Sequence, residues 1–499
     1  METFKELLGK VGVGSSMAST PYDTAWIARL TEIDRGISNL ALGWLSEHQL
    51  SDGSWGTEFP FYYHDRVICT LSAMISMNYR GRRHLDKVQI QNGLLALEKV
   101  TATATQGLRL DTNGATVGFE LIVPTLVAEA ERLGLITQQG DRILGKLGQL
   151  REQKLKKLAG IKVSRYITAA HSAEMAGQDK LHMLDVENLQ EPNGSVGCSP
   201  SASAHFALYV KPGDASALSY LSPIVHSRGG GAPTLSPIEL FERIWVLWNL
   251  SITSLYQTDV EITSACQSHL DYLEKHWIAQ QGLGFSRNFS LTDSDDTSVA
   301  FEVLSKFGRS PELEAVLQYE EANWFRCFHH EVNPSVDVNI HVIGALKQAR
   351  YEKSHPSVQK ALNFIRSKRQ PGKYWLDKWH LSPYYTTAHF VIAARGYDDE
   401  FCQEAIQWIL DTQERDGTWG FFGGKATAEE TAYCIQALAI WQKYTGVSFS
   451  AQIKKAGQWL SENCEPPYPP LWIDKSLYCP ELLVKACILS ALTLVEESE

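Results

Sequence analysis

The chain has 499 residues, 44% hydrophobic and 21% charged, with 57 acidic against 46 basic side chains and a formal net charge of −11. That length accommodates two or three domains and a large buried core, which excludes a mainly disordered chain. The negative balance argues against a nucleic-acid binder. No run of about 18 apolar residues is present to span a bilayer, and residues 1–17 lack a signal-peptide core, so a cytoplasmic protein without a transmembrane segment is expected. The nine cysteines are scattered from Cys69 to Cys487 with no C-x-x-C pair, and read as reduced, buried thiols.

Taken in chain order, the periodicity is helical nearly throughout. Residues 36–50, 236–255, 296–306 and 428–444 carry apolar side chains at three- and four-residue spacing, and clusters of Gly, Pro, Asn or Asp separate them at helical-hairpin distances. Convincing alternating strands are absent. A degenerate repeat accompanies the helices: WLSEHQLSDGSWG at 44–56, WILDTQERDGTWG at 408–420, and a weaker LQEPNGSVG at 189–197. Each ends a helix at a Gly turn. The Gln is available to bond free backbone groups at a neighbouring helix end, and the Trp to cover the junction. The fold class expected is all-α, with helix pairs stacked into α/α barrels. The two full copies, one near each end, point to two barrels in one chain. Ser227–Pro237, rich in Gly and Pro, lies near their junction or lines a cleft.

The sharpest chemical signal is LTDSDDTS at 291–298, where Asp293, Asp295 and Asp296 precede an apolar helix. Acidic side chains at that position cap a helix. A carboxylate run can also hold a metal. Packed in a low-dielectric site, such carboxyls cannot all ionise, so one stays protonated and serves as a general acid. The 14 Trp, 19 Tyr and 18 Phe of the chain fit chemistry that needs π faces beside positive charge.

This combination resembles the class II terpene cyclases, whose D-x-D-D signature is matched by Asp293-Ser294-Asp295-Asp296. The segments TPYDTAWIARL at 20–30, VGFELIVPTL at 117–126, NGSVGCSPSASA at 193–204, GGAPTLSPIELFERIW at 230–245 and LWIDKSLY at 471–478 are similar to those of labdane-type diterpene cyclases. DKWH at 377–380, YYTTAH at 384–389 and ATAEETAYCIQALA at 426–439 look like the bacterial members that make halimadienyl (tuberculosinyl) or kolavenyl diphosphate. The resemblance implies two α/α barrels with the active site between them. Residues 1–36 would begin the β domain, 37–250 would form an inserted γ domain, and 251–499 would complete the β domain.

By the same resemblance, Asp295 is the general acid, with Asp293 and Asp296 orienting it. His171, in YITAAHSAEMAG, matches the histidine of a copalyl-type terminating dyad, whose Asn partner is replaced here by Thr234. The cavity is expected to draw on Trp324, Trp375, Trp379, Tyr384, Tyr385, Trp419, Phe421 and Phe422. Lys378 and Lys475 are the expected diphosphate ligands, with Arg243 and Lys373 as weaker candidates and Glu120 as a carboxylate for Mg2+. The ionising D-D-x-x-D motif is missing, since Asp398-Asp399-Glu400-Phe401-Cys402 fails at its fifth position, so diphosphate is expected to be retained. The implied substrate is geranylgeranyl diphosphate, and a downstream enzyme would remove diphosphate from the bicyclic product. Copalyl diphosphate synthesis, and drimenyl diphosphate synthesis from farnesyl diphosphate, are the rival activities. A triterpene cyclase and a helical binding scaffold are more distant alternatives.

Overall fold

The computed structural model describes all residues except 1, 15, 81–82, 103–113, 138–139, 141–142, 144, 146, 158–159, 330, 332 and 499. Six helices form a closed ring in which each packs on the next: Glu239–Ser251, Ser294–Lys306, Val336–Gln348, Pro383–Ala394, Ala428–Thr445 and Glu481–Glu497, the last returning to the first. Other helices, among them Val260–His276, Pro356–Ser367, Asp399–Asp411 and Ser450–Glu462, pack outside this ring. Inner helices are buried on every side because neighbours surround them, and Val336–Leu346 is buried without a break, Asp337, Asn339 and His341 included. An outer helix such as Pro356–Ser367 buries one stripe, including Val358, Ala361, Leu362 and Ile365.

A second ring is built from Pro21–Ala28, Tyr63–Arg80, Phe119–Arg132, the 3-10 segment Thr168–Ala176 and Pro200–His205, which returns to Pro21–Ala28. Each ring has its own core. One gathers residues 4–17 with 238–494, and the other spans Tyr22 to Ala232. This differs from the boundaries expected at 36/37 and 250/251. The helix Pro21–Ala28 closes the inserted barrel, whereas Glu239–Ser251 closes the barrel that carries the acidic motif. Both are apolar inner helices, and their sequences do not disclose which ring they complete.

The repeated turns act as structural junctions. In three of them the Gln side chain donates across its own turn: Gln49 to Gly53 O at 2.8 Å, Gln190 to Gly194 O at 3.0 Å and Gln413 to Gly417 O at 2.9 Å. Gln49 also reaches Gln89 O, at the adjoining helix. The indole Nε1 of Trp55 bonds to Leu45 O and that of Trp419 to Ile409 O, both at 2.8 Å, which ties the turn to its preceding helix. Trp375 makes the same bond to Ile365 O, a further copy that the repeat pattern did not reveal.

Candidate active site

The two barrels meet over the antiparallel hairpin Trp472–Ile473/Leu477–Tyr478, which projects from the acid-bearing barrel onto the inserted one. Leu477 N donates to Asp65 Oδ1, and Val117 N donates to Asp474 O. A cleft at this junction is lined by Asp293, Asp295 and Asp296 from one barrel, by His171 and Val117 from the other, and by Asp474 of the hairpin.

Asp293 caps the helix Ser294–Lys306, its carboxylate accepting from Asp296 N at 2.8 Å. Asp295 and Asp296 therefore occupy the first turn, at the positive end of the helix dipole. The capping expectation holds for Asp293, and Asp295 lies at the cleft, where the acid expectation would need it. Burial separates the three carboxyls. Asp293 and Asp296 are 3% and 4% accessible, while the Asp295 side chain keeps 22% and reaches the cleft. Burial pushes the Asp293 carboxyl up to about 8, reinforced by the charge of Asp295, although the capping bond opposes this. Burial also drives the Asp296 carboxyl well up, with Asp293 and Asp295 adding to it. Burial thus disfavours charge on both neighbours of Asp295.

Asp295 Oδ1 lies 2.6 Å from Nδ1 of His341, on the next inner helix. His341 Nε2 is in turn 2.9 Å from His389 Nδ1, one helix further round. Neither histidine was singled out from the sequence. YYTTAH carried His389 only as a family-like segment, and His341 lies 46 residues from Asp295 with no local spacing to mark it.

Around Asp295 the walls are aromatic: Phe241, Phe285, Phe289, Phe328, Trp379, Trp472 and Tyr478. Phe285 and Phe289 stack at 4.4 Å, and Phe241 meets Trp472 edge-on at 6.0 Å. Of the predicted aromatic residues, Trp379 alone is among these liners. Tyr385 lies behind Trp472, at 5.2 Å and in contact with His389. Tyr384 stacks on Trp408, Trp324 packs against Phe364, and Phe422 covers a small cluster with Tyr62 and Leu381. Trp375 and Trp419 serve the turn junctions described above, and Phe421 sits between Phe422 and Tyr374. Inner and outer helices share one periodicity, so aromatic content alone did not separate lining from packing.

On the opposite wall, His171 Nε2 stands 3.1 and 3.0 Å from the two oxygens of Asp474. Thr234 Oγ1 donates a hydrogen bond to Asp474 Oδ2. Burial raises the Asp474 carboxyl, but His171, Lys475 and Thr234 outweigh it and hold Asp474 below the usual range. His171 and Thr234 are thus brought together through a carboxylate that sequence reasoning had not placed between them.

The cations expected to hold diphosphate are engaged elsewhere. Lys475 is fully buried and donates to Glu174 at 2.7 Å, Ser199 at 2.7 Å and Ser201 at 2.8 Å. Lys378 pairs with Glu331 and donates to Asn333 O at 2.6 Å. Arg243 lies over the Tyr272 ring at 4.0 Å, and Lys373 pairs with Glu404 at 2.8 Å. Glu120 is ion-paired with Lys154 at 2.6 Å. Among the described residues no three His, Cys, Asp or Glu side chains converge as a metal set.

A carboxylic acid at a helix N-terminus, beneath an aromatic cleft between two α/α barrels, defines a proton-initiated terpene cyclase of class II. Residues 329–445 match the squalene-hopene cyclase C-terminal domain. Over all 499 residues of both chains, this one is 58% identical to the type B diterpene cyclase of Mycobacterium tuberculosis. It is 30% identical to the ent-copalyl diphosphate synthase of a Streptomyces species, over 90% of this chain and 86% of that one. Among solved structures, the ent-copalyl diphosphate synthase of Streptomyces platensis superposes with a TM-score of 0.77 at 26% identity, covering 98% of each chain. The chain belongs to the class II diterpene cyclases. Among the described residues, no helix is long and apolar enough to cross a membrane.

Proposed function

We propose that this diterpene cyclase takes geranylgeranyl diphosphate and returns a bicyclic diphosphate, halimadienyl (tuberculosinyl) or kolavenyl diphosphate. The single observation that carries the acid assignment is Asp295, open to an aromatic cleft and bonded to His341 at 2.6 Å. The proton leaves Asp295 for the distal alkene, whose π electrons form the new C–H bond and leave a tertiary cation. Two ring closures pass that charge inward, and the faces of Trp379, Trp472 and Phe241 stabilise it while the cleft excludes water. Hydride and methyl shifts relocate the cation before a proton is lost to the His171–Asp474 pair on the far wall. That pair supports the halimane or clerodane reading over the copalyl one, because Thr234 stands where a copalyl-type dyad has Asn and His171 meets Asp474 instead. The C–O bond to diphosphate stays intact, since no D-D-x-x-D ionising motif is present. Magnesium enters as the counter-ion of the substrate diphosphate, and a separate enzyme removes diphosphate from the product.

The test is incubation of the protein with geranylgeranyl diphosphate and magnesium, phosphatase treatment, then gas chromatography–mass spectrometry and NMR. A bicyclic alcohol lost in Asp295→Asn is expected, and its skeleton separates halimane, clerodane and labdane products. Recovery of geranylgeraniol alone would overturn the C20 assignment, and conversion of farnesyl diphosphate would then support the drimenyl rival.

A further inference from the structure

We propose that His389 is a positioning residue for the acid: it holds His341 in the tautomer that keeps the transferable proton on the cleft-facing oxygen of Asp295. The inference rests on Asp295 as the acid and goes beyond it by assigning a proton arrangement to three side chains. The geometry is a chain, Asp295 Oδ1 to His341 Nδ1 at 2.6 Å and His341 Nε2 to His389 Nδ1 at 2.9 Å. It ends at His389 Nε2, which is buried with no hydrogen-bond partner among the described residues. Aromatic rings enclose that end, with Tyr385 at 4.2 Å, Trp248 at 4.8 Å and Trp245 at 5.9 Å.

Two arrangements of protons satisfy both contacts when the histidines are neutral. In one, His389 carries its proton on Nε2 and accepts at Nδ1. His341 then carries its proton on Nε2 and presents a bare Nδ1, so Asp295 must turn its proton away from the cleft to donate to it. In the other, His389 carries its proton on Nδ1 and donates to His341 Nε2. His341 then donates from Nδ1 to Asp295 Oδ1, and the acid proton resides on Oδ2, which has no hydrogen bond among the described residues.

The unpartnered end of the chain decides between them. The first arrangement buries an N–H group with no oxygen or nitrogen among the described residues to receive it, and orphaned buried donors are rare because they forfeit a full hydrogen bond. The second leaves only an unshared lone pair, the cheaper defect. A protonated His341 would force His389 back to the Nε2–H form and incur the same defect, so His341 does not take the proton from Asp295. Burial, with His341 and His380 nearby, also holds His389 well below the usual histidine range, which keeps it neutral. After proton transfer, the His341 Nδ1–H bond stabilises the Asp295 carboxylate.

Histidine-selective 15N labelling of the intact protein reads the tautomers directly. The expected spectrum assigns a protonated Nδ1 and an unprotonated Nε2 to both His341 and His389; a protonated Nε2 on His389 would overturn the proposal. Kinetics supply an independent arm. His389→Leu is expected to lower kcat about tenfold or more, the size of one buried hydrogen bond, with KM within about threefold. His389→Asn, which retains a donor, is expected to recover most of that loss. Equal turnover in wild type and His389→Leu, or equal loss in Leu and Asn variants, would refute it. Full activity in Asp295→Asn would instead reject the acid assignment, which separates the two failures.

Discussion

Replacing Lys475 by Met separates a diphosphate ligand from a structural link between barrels. Lys475 and Glu174 are both 0% accessible and 2.7 Å apart. Tyr22 OH also donates to Glu174 at 2.8 Å, and Ser201 Oγ at 3.2 Å. At an effective dielectric of about 20, two charges at that separation attract with roughly 6 kcal/mol, against a desolvation penalty of comparable size. Removing one partner leaves the other buried and unpaired, which costs about 3–5 kcal/mol. Lys475→Met should lose that much stability in urea titrations, and Lys475→Met/Glu174→Gln should regain about half or more, because Glu174 no longer leaves a stranded charge. The pH dependence should also reverse. In the native protein burial raises the Glu174 carboxyl, but Lys475 outweighs burial and holds it low. Its contribution is therefore present above the unfolded value and lost as pH falls through the folded one. Without Lys475, Glu174 is raised instead, and stability falls as pH rises above about 4.5. Unchanged stability with a large rise in KM for the prenyl diphosphate would refute this reasoning and restore Lys475 as a ligand.

Three further outcomes follow from the site. Asp293 has a folded value of about 8 against an ordinary 3.8, so it binds its proton more tightly when folded, and stability falls as pH rises between those values. Asp293→Asn should flatten this slope by up to about 1.4 kcal/mol per pH unit, checked by urea titration from pH 5 to 8; parallel curves would contradict it. Asp474→Asn removes the charge facing His171, and kcat should fall about tenfold or more with altered product ratios in gas chromatography; an unchanged product spectrum would remove Asp474 from termination. Trp419→Phe removes the indole donor to the Ile409 carbonyl, which keeps only the Thr412 Oγ1 bond at 3.2 Å, and should cost about 0.5–1.5 kcal/mol by denaturant titration while leaving the product unchanged. A loss below about 0.5 kcal/mol would show that the ring, not its N–H, secures the turn.

Much of the molecule is written locally in the chain. Helices follow from three- and four-residue spacing, and the Gln–Gly–Trp turns fold on themselves within about ten residues, so Gln413, Gly417 and Trp419 act as their sequence suggests. The acidic motif is equally local: Asp293 caps the helix that it begins, and Asp295 occupies its first turn. Closing two rings decided the rest. Closure set His341 and His389 behind Asp295, although they come from different helices. It also brought Asp474 to His171, 303 residues away, and buried Lys475 against Glu174, 301 residues away. Whether Tyr384 or Trp472 faces the cleft depends on which neighbour packs against each side, and Tyr384 is turned towards Trp408. Hydrogen-bonding type and helical phase are properties of single segments. The partner of each donor, and the dielectric around each carboxyl, exist only once distant segments have packed.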